Sequence, residues 1–172
     1  MSVIIEDIKT ITTQPAGSRL VVVKITTSQP GLYGLGCATF TQRFRAVVTA
    51  VEKHLKPFLI GREVSRIEEI WQMLMVNGYW RNGPVLNNAI SGVDQALWDI
   101  KGKAVGIPVY DLLGGKCREA AAVYGHAGGN SPESVAESVQ SFMERGYRYI
   151  RMQMGGYGGQ TSQITQPEGA LD

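Results

Sequence analysis

The sequence has few cysteines, and none of them form the closely spaced pairs that bind zinc. Only Cys37 and Cys117 occur among its 172 residues, and they lie far apart. A disulfide framework or a structural zinc site requires more cysteines at shorter spacings. The sequence therefore favours two reduced thiols in an intracellular protein.

Long apolar runs and blocks of like charge are also missing. No apolar segment approaches the roughly 18 residues that a membrane-spanning helix needs. The first residues, MSVIIEDIKT, include two acids and lack the basic start of a signal peptide. The net charge is only +2, and the basic residues are scattered, unlike those of nucleic-acid-binding proteins. We therefore expect a cytoplasmic protein that binds neither membranes nor nucleic acids.

The first forty residues have the pattern of short strands separated by turns. With 44% hydrophobic residues, the whole chain has enough apolar side chains for a core. Three segments rich in β-branched or apolar residues are separated by the turn sequences QPAGS and QPG. This pattern predicts a three-stranded antiparallel meander, with strands at residues 3–13, 19–27 and 32–40.

The spacing of apolar residues then becomes helical. One helix is predicted from Arg43 to Leu59, and a second after a capping box of Ser65 and Glu68. A third and longer helix is expected to open at Asn87 or Asn88. The predicted buried stripes are Val47, Val48, Val51, Leu55 and Phe58 in the first helix; Ile67, Ile70, Trp71, Leu74 and Met75 in the second; and Ile90, Val93, Leu97, Ile100 and Ala104 in the third.

After the long helix the sequence pattern changes to alternating strand and helix. Gly106 and Pro108 are expected to end the helix, and VYDLLGG to add one more helical turn. A mostly apolar strand at 118–128, a helix opened by Ser131 and a strand at 147–154 then predict a βαβ unit with parallel strands. Because Ser134 rather than Glu or Gln lies three residues after Ser131, we expect a simple N-cap.

The last predicted unit is too small to form a domain alone. Little alternation in the strand at 118–128 favours burial on both of its faces. A single βαβ unit cannot cover both faces of its sheet. We therefore expect either that the sequence is a fragment, which we favour, or that another chain completes the unit.

Three segments resemble a known family. GVDQALWDIKGKAVGIPVYDLLGG resembles the end of the N-terminal capping domain in the enolase superfamily, in its mandelate racemase/muconate lactonizing branch. LYGLGCATFTQRFRAVV and RIEEIWQMLMVNGYWRNGPVLNNAISGVD resemble the D-mannonate dehydratases and their starvation-sensing (RspA-like) relatives.

The resemblance implies a fold and its domain limits. Residues 1–115 would form an α+β capping domain, with a three-stranded antiparallel meander and helices. Residues 116–172 would form the first βαβ unit of a TIM-like (β/α) barrel that is apparently truncated. The first two barrel strands would be Ala120–His126 and Tyr149–Met154, and the active site of such a barrel lies at the C-terminal ends of its strands.

The resemblance also implies an activity. Such enzymes are Mg²⁺-dependent acid-sugar dehydratases of the D-mannonate or D-gluconate type: they remove the proton α to a carboxylate and then the 3-hydroxyl. The family's Mg²⁺ ligands lie on later barrel strands, so we expect them beyond Asp172 and assign no metal ligand before it. The expected partners are a small acid sugar and further copies of the chain, since the family commonly forms homo-oligomers.

The resemblance assigns three residues of the barrel strands and the loop that follows them. His126 would bind a hydroxyl or carboxylate of the substrate; its alternative is a satisfied histidine at a strand end. Arg151 and Gln153 stand where many relatives carry Lys-x-Lys and use a lysine as base, and arginine is a poor base. A cation beside a phenol lowers the phenol's pKa, so Arg151 and Tyr157 would form the catalytic base. Active relatives place that tyrosine at a longer spacing, where this sequence has Gln163.

Two capping-domain residues are candidates for binding substrate. Thr41 stands where relatives often have an asparagine that contacts the substrate. Trp80 could line the site from the capping domain; the alternative is a loop aromatic that packs against the domain. The second histidine, His54, is expected to be a solvated helix residue.

Two other functions remain open. Thr41 and the unusual tyrosine spacing favour a non-catalytic or low-activity relative that binds a metabolite or partner. A racemase or epimerase on the same scaffold is disfavoured by the Arg151-Met-Gln sequence, which lacks the lysine base.

Overall fold

The computed structural model describes residues 2–15 and 18–155, and its internal contacts divide the chain into two units. The first unit is Met1–Lys116, and the second begins at Cys117. Among the described residues, no helix is both long enough and apolar enough to cross a membrane.

The first unit begins with the predicted meander. Its strands pair antiparallel in the order β1-β2-β3. Side chains of β2 alternate between the core and the partly exposed face, and Val21, Val23 and Ile25 are fully buried. The predicted three-stranded antiparallel meander is therefore confirmed. Their bounds are Ile5–Thr13 (β1), Leu20–Thr27 (β2) and Tyr33–Cys37 (β3).

The next helical region has a wide turn in its middle. It consists of α1 (Phe44–Thr49), a π-helical segment (Ala50–Leu55) and α2 (Lys56–Leu59). A π-helical turn contains more residues than an α-helical turn, so residues four apart stay on one face. The buried residues are accordingly Val47, Val51, Leu55 and Leu59. The prediction that Phe58 is buried was wrong, because the wide turn moves Leu59 inward and leaves Phe58 50% exposed.

The predicted capping box at the second helix is also wrong. Helix α3 (Ile67–Val76) has Arg66 at its N-cap, without a side-chain hydrogen bond to the helix. The hydroxyl of Ser65 instead donates to Glu63 Oε1 at 2.7 Å. Ile67, Ile70 and Leu74 are buried as predicted, whereas Trp71 lies at the surface.

The long helix α4 (Pro84–Val105) carries the centre of the core. It starts earlier than the predicted Asn87 because Pro84 is already well placed for a first helical turn. Four predicted positions, Ile90, Val93, Leu97 and Ile100, are buried, and Ala104 is exposed. Gly106, in a left-handed conformation, ends the helix, and α5 (Val109–Leu112) is the predicted additional turn.

The sheet and α4 approach each other closely. Gly34 and Gly36 of β3 face the helix, and a Cβ atom on either would overlap a backbone carbonyl oxygen of α4, that of Ala96 or Gly92. Glycine in a strand interior often marks such a close approach of another backbone. The two glycines therefore set the distance between sheet and helix.

The second unit contains the predicted βαβ arrangement. Strand β4 (Tyr124–Gly129) and strand β5 (Tyr149–Met154) are parallel, and α6 (Pro132–Glu144) connects them. The second predicted barrel strand agrees with β5. The predicted bounds of the first barrel strand, Ala120–His126, were wrong. Strand β4 begins at Tyr124, which pairs with Tyr149, the first residue of β5, and residues 120–123 lie outside the paired strand.

Helix α6 covers one face of this strand pair. Gly125 and Ala127 are buried, whereas Tyr124 and His126, on the other face, are exposed. The expected burial on both faces of β4 is therefore not found. The expected simple N-cap was wrong as well: Ser134 Oγ accepts from the amide of Ser131, and Ser131 Oγ accepts from the amide of Ser134, which is a full capping box built with serine.

Candidate functional site

The exposed face of the second unit carries a row of polar and aromatic side chains. In the parallel register, His126 lies opposite Arg151, and Gly128 lies opposite Gln153. Side chains alternate along a strand, and residues at paired positions share a face. Tyr124, His126, Arg151 and Gln153 therefore share the face that α6 leaves uncovered; we call these four residues the strand-face cluster.

His126 is the centre of the strand-face cluster. Its Nε2 atom is 3.2 Å from Gln153 Oε1. Its ring is tilted by 60° to that of Tyr124, with 6.4 Å between the ring centroids. His126 and Arg151 are exposed and Gln153 is half-buried, so the cluster can meet a ligand in solution.

Small residues hold β4 against α6 and so fix the position of His126. A Cβ atom on Gly125 would overlap the ring of Phe142, and one on Gly129 would overlap Ser134 Oγ. The amide of Gly128 also donates to Ser138 Oγ at 3.3 Å. Because β4 is anchored from its covered face, the side chains on its other face project from a rigid element.

The strand-face cluster has the groups needed to bind a hydroxylated anion. Arginine is a permanent cation with a planar set of donors that suits carboxylates. Neutral histidine donates from one ring nitrogen and accepts at the other, and a glutamine amide does both as well. None of the four members is a carboxylate, so nothing within the cluster repels an acid substrate.

A magnesium site does not fit the described residues. Among residues 2–15 and 18–155, no group of three or more His, Cys, Asp or Glu side chains is placed to hold a metal ion. Mg²⁺ prefers oxygen ligands, and carboxylates usually supply them. The described residues therefore do not form a complete metal site by themselves.

The two candidates in the first unit lie in different surroundings. The hydroxyl of Thr41 donates to the carbonyl oxygen of Arg19 at 3.3 Å, and Thr41 is exposed at the start of a short 3₁₀ turn. Trp80 is 88% exposed, and its ring meets that of Tyr79 edge-on, with centroids 5.3 Å apart. The alternative that Trp80 packs into the domain is therefore wrong.

His54 is exposed in the π-helical segment, as expected. Tyr157 and Gln163 lie outside the described residues. The structure brings His126 and Arg151 to one strand pair, while Thr41 and Trp80 belong to the first unit.

The sequence placed Gln153 beside Arg151 on the second strand but assigned neither Gln153 nor Tyr124 a role next to His126. Each lies two positions along a strand from a predicted residue, Tyr124 before His126 and Gln153 after Arg151. Since side chains alternate with a period of two, that spacing is the signal that could have identified both.

The first unit matches a family directly. Residues 4–114 match the family described as mandelate racemase / muconate lactonizing enzyme, N-terminal domain. This match covers the meander and the helices through α5.

Curated relatives extend the similarity into the second unit. The chain is 62% identical over 155 residues to the D-galactonate dehydratase family member RspA of Pantoea ananatis, covering 90% of this chain and 37% of the relative. It is 55% identical over 167 residues to a D-galactonate dehydratase family member of Enterococcus gallinarum, covering 97% of this chain and 42% of the relative. The chain thus spans about two fifths of the length of these relatives.

Solved structures have the same fold. A crystal structure of an enolase from Pantoea ananatis with bound D-gluconate and Mg has a TM-score of 0.85 at 61% identity, covering 91% of this chain and 38% of that one. A member of the enolase superfamily from Salmonella Typhimurium has a TM-score of 0.78 at 31% identity, covering 88% and 42%. With its match over residues 4–114, the chain belongs to the mandelate racemase / muconate lactonizing enzyme family of the enolase superfamily and carries that family's N-terminal capping domain.

Proposed function

We propose that this chain functions within a Mg²⁺-dependent acid-sugar dehydratase that acts on D-gluconate or D-mannonate. The observation that carries the proposal is the pairing of His126 and Arg151 on one exposed face of two parallel strands. Two further facts support it: curated relatives are named D-galactonate dehydratase family members, and a similar crystal structure is that of an enolase with bound D-gluconate and Mg.

The proposed reaction is the loss of water from an acid sugar. A base takes the proton from the carbon next to the carboxylate, and the electron pair of that C–H bond forms the C2–C3 double bond of an enol. The 3-hydroxyl leaves with its bonding electrons and takes up a proton, becoming water. The enol then converts to a 2-keto-3-deoxy acid, so no oxidant or reductant is needed.

Arg151 and Tyr157 are the proposed base. Arginine itself is a poor proton acceptor, but its charge stabilises a neighbouring phenolate, which can accept the proton. Arg151 is on β5, and Tyr157 follows that strand outside the described residues. The acid that protonates the leaving hydroxyl is proposed to lie on a later strand.

His126, Thr41 and Trp80 are the proposed substrate-binding residues. His126 would bind a hydroxyl or the carboxylate of the acid sugar. The exposure of Trp80 leaves its ring able to cover a sugar face. Mg²⁺ would stabilise the charge that develops on the substrate carboxylate, with ligands from outside the described residues. A homo-oligomer in solution remains part of the proposal.

A non-catalytic relative that binds a metabolite is the second candidate. The observation that favours it is the hydrogen bond from Thr41 to the Arg19 carbonyl, which uses the donor of a residue proposed to reach the substrate. A racemase is less favoured, since Arg151 is a poor base for moving a proton in either direction.

The test is an activity screen of the whole protein with Mg²⁺. D-gluconate, D-mannonate and D-galactonate are each incubated with enzyme, and the keto acid formed is measured. We expect keto-acid formation from D-gluconate or D-mannonate and none after addition of a chelator. Tight binding of an acid sugar without any keto acid would favour the non-catalytic candidate, and exchange of the C2 proton without loss of water would favour the racemase.

A further inference from the structure

Gln153 forms a hydrogen bond with the His126 ring, and the register explains why it can. Gln153 lies opposite Gly128, which has no side chain. A Cβ atom at Gly128 would meet only the backbone oxygen of Gln153, at 3.7 Å, so the space beside Gln153 is open. The carboxamide can therefore extend along the sheet face to His126, whose own register partner is Arg151.

The geometry determines which atoms meet. The carboxamide oxygen of Gln153 is 3.2 Å from Nε2 of His126. With the amide oxygen turned toward the ring, the carboxamide accepts and Nε2 carries the proton; the opposite tautomer would need the amide nitrogen in that place. In a neutral imidazole the other nitrogen, Nδ1, then has a lone pair and accepts hydrogen bonds.

We propose that Gln153 is a positioning residue: it holds His126 with its proton on Nε2, so that Nδ1 accepts a hydrogen bond from a hydroxyl group of the acid sugar. This inference rests on the proposed function and deepens it, because it selects a hydroxyl donor rather than the carboxylate as the group that neutral His126 recognises. A substrate carboxylate offers no donor to Nδ1, and it suits the Arg151 guanidinium better.

The surroundings favour a fixed ring rather than a mobile one. Tyr124 contacts the ring from two positions earlier on the same strand, and Gln153 contacts it from the neighbouring strand. Glycines on the covered face hold β4 against α6. A ring held in this way loses little conformational freedom when it binds a substrate, which is the benefit of pre-organised site residues.

Two variants separate the roles of size and hydrogen bonding at position 153. Gln153→Met keeps the length of the side chain but removes its acceptor oxygen. Gln153→Glu keeps an acceptor and cannot donate. Gln140→Met is the matched control, because Gln140 is exposed on α6 and its amide bonds Glu144 rather than the strand-face cluster.

The first readout does not depend on activity. The whole protein is labelled with ¹⁵N-histidine, and the His126 signals are identified by their loss in His126→Asn. We expect a proton bonded to Nε2 that exchanges slowly with water in the wild type, Gln153→Glu and Gln140→Met, and that is lost to rapid exchange in Gln153→Met. A wild-type ring protonated on Nδ1, or an unchanged signal in Gln153→Met, would overturn the inference.

The second readout is kinetic. For Gln153→Met we expect KM for the acid sugar to rise about tenfold while kcat changes less than about threefold, as for the loss of one binding hydrogen bond. Gln153→Glu keeps the acceptor but places a negative charge beside the acid substrate, so we expect its KM to rise as well and only its imidazole signal to match the wild type. Unchanged KM in Gln153→Met would contradict the inference. If the wild type turns over no acid sugar, the proposed function fails, whereas the imidazole signal still decides the role of Gln153.

Discussion

The side-chain amide of Gln95 in α4 binds both backbone groups of Cys37 in β3, accepting from the amide nitrogen at 3.0 Å and donating to the carbonyl oxygen at 3.4 Å. One and two turns further along the helix, Asp99 accepts from the amide of Leu35 at 2.8 Å and Lys103 donates to the carbonyl oxygen of Tyr33 at 2.9 Å. The side chains of one helix thus take the place of a fourth strand and protect the edge of the sheet from other pairings.

Replacing Gln95 by methionine tests this edge pairing. Gln95→Met keeps the size of the side chain and leaves two backbone groups of Cys37 to solvent. Because water can partly replace the lost hydrogen bonds, we expect the free energy of unfolding to fall by about 1 kcal/mol. Urea denaturation measures the change. Gln72→Met, at an exposed position of α3, is the control, and an equal effect of the two substitutions would contradict the proposed role.

Because β3 and α4 are in close contact, we expect a substitution of Gly36 to lower the stability more than that of Gln95. In Gly36→Ala the new methyl group would overlap the carbonyl oxygen of Gly92, so the sheet and helix must move apart. We expect a loss of at least about 1–3 kcal/mol, the usual cost of overpacking a core. Gly78→Ala is the control, because its nearest contact would be 3.5 Å away. A wild-type melting temperature in Gly36→Ala would show that this packing is wrong.

Removal of the α6 capping box should lower the stability of the second unit. Ser131→Ala removes the side-chain acceptor for the Ser134 amide, which is 3.2 Å away. The expected cost is about 1 kcal/mol, as for other N-cap serines. Ser131→Asp, which keeps an acceptor, should recover most of it. Hydrogen exchange of the α6 amides measures the effect, with Ser141→Ala at an exposed position of the same helix as the control. Equal exchange in Ser131→Ala and Ser141→Ala would exclude a stabilising cap.

The ion pair of Asp7 and Lys56 should contribute to the free energy of unfolding in a pH-dependent way. Their side chains are 2.5 Å apart, and the hydrogen bond from Lys56 lowers the pKa of Asp7, while partial burial acts in the opposite direction. A carboxylate with a lowered folded-state pKa stabilises the fold above its unfolded pKa, about 3.9, and loses this contribution as the pH falls through the folded value. We expect Asp7→Asn to cost at most about 1 kcal/mol at pH 7 and nothing at strongly acidic pH.

The measurement for Asp7 is urea denaturation at a series of pH values. Glu6→Gln, which changes an exposed neighbouring carboxylate, serves as the control. A cost of Asp7→Asn that persists below the folded-state pKa of Asp7 would mean that packing rather than charge is responsible.

Regular periodicity was the most reliable guide to the fold. The stripe from Ile90 to Ile100 was predicted because burial on one face directly constrains the sequence, and the meander because turn sequences separate its three β-rich segments. The errors occurred where a local interaction changed the pattern. The π-helical turn replaced Phe58 by Leu59 in the core, and the bond from Ser65 to Glu63 removed an expected cap.

The candidate site was predicted only in part, for a different reason. His126 and Arg151 followed from their matches to a family, and the structure places them side by side. The contact of Gln153 with His126 was not predicted, because it depends on the register between two strands separated by a helix, and that register is not visible in either strand alone. The proposed role of Tyr157 remains a prediction, since it lies outside the described residues.

The most direct test of the proposed dehydratase is the activity of Arg151→Met in the whole protein. Arg151 is replaced by methionine, and Arg148→Met, at an exposed position just before β5, is the control. Steady-state keto-acid formation from D-gluconate or D-mannonate with Mg²⁺ is measured for both. Because the proposed base depends on the charge of Arg151, we expect kcat of Arg151→Met to fall by at least about 100-fold, the usual contribution of a general base, and Arg148→Met to keep its activity. Equal activity of the two variants would contradict the proposed role of the strand-face cluster in catalysis.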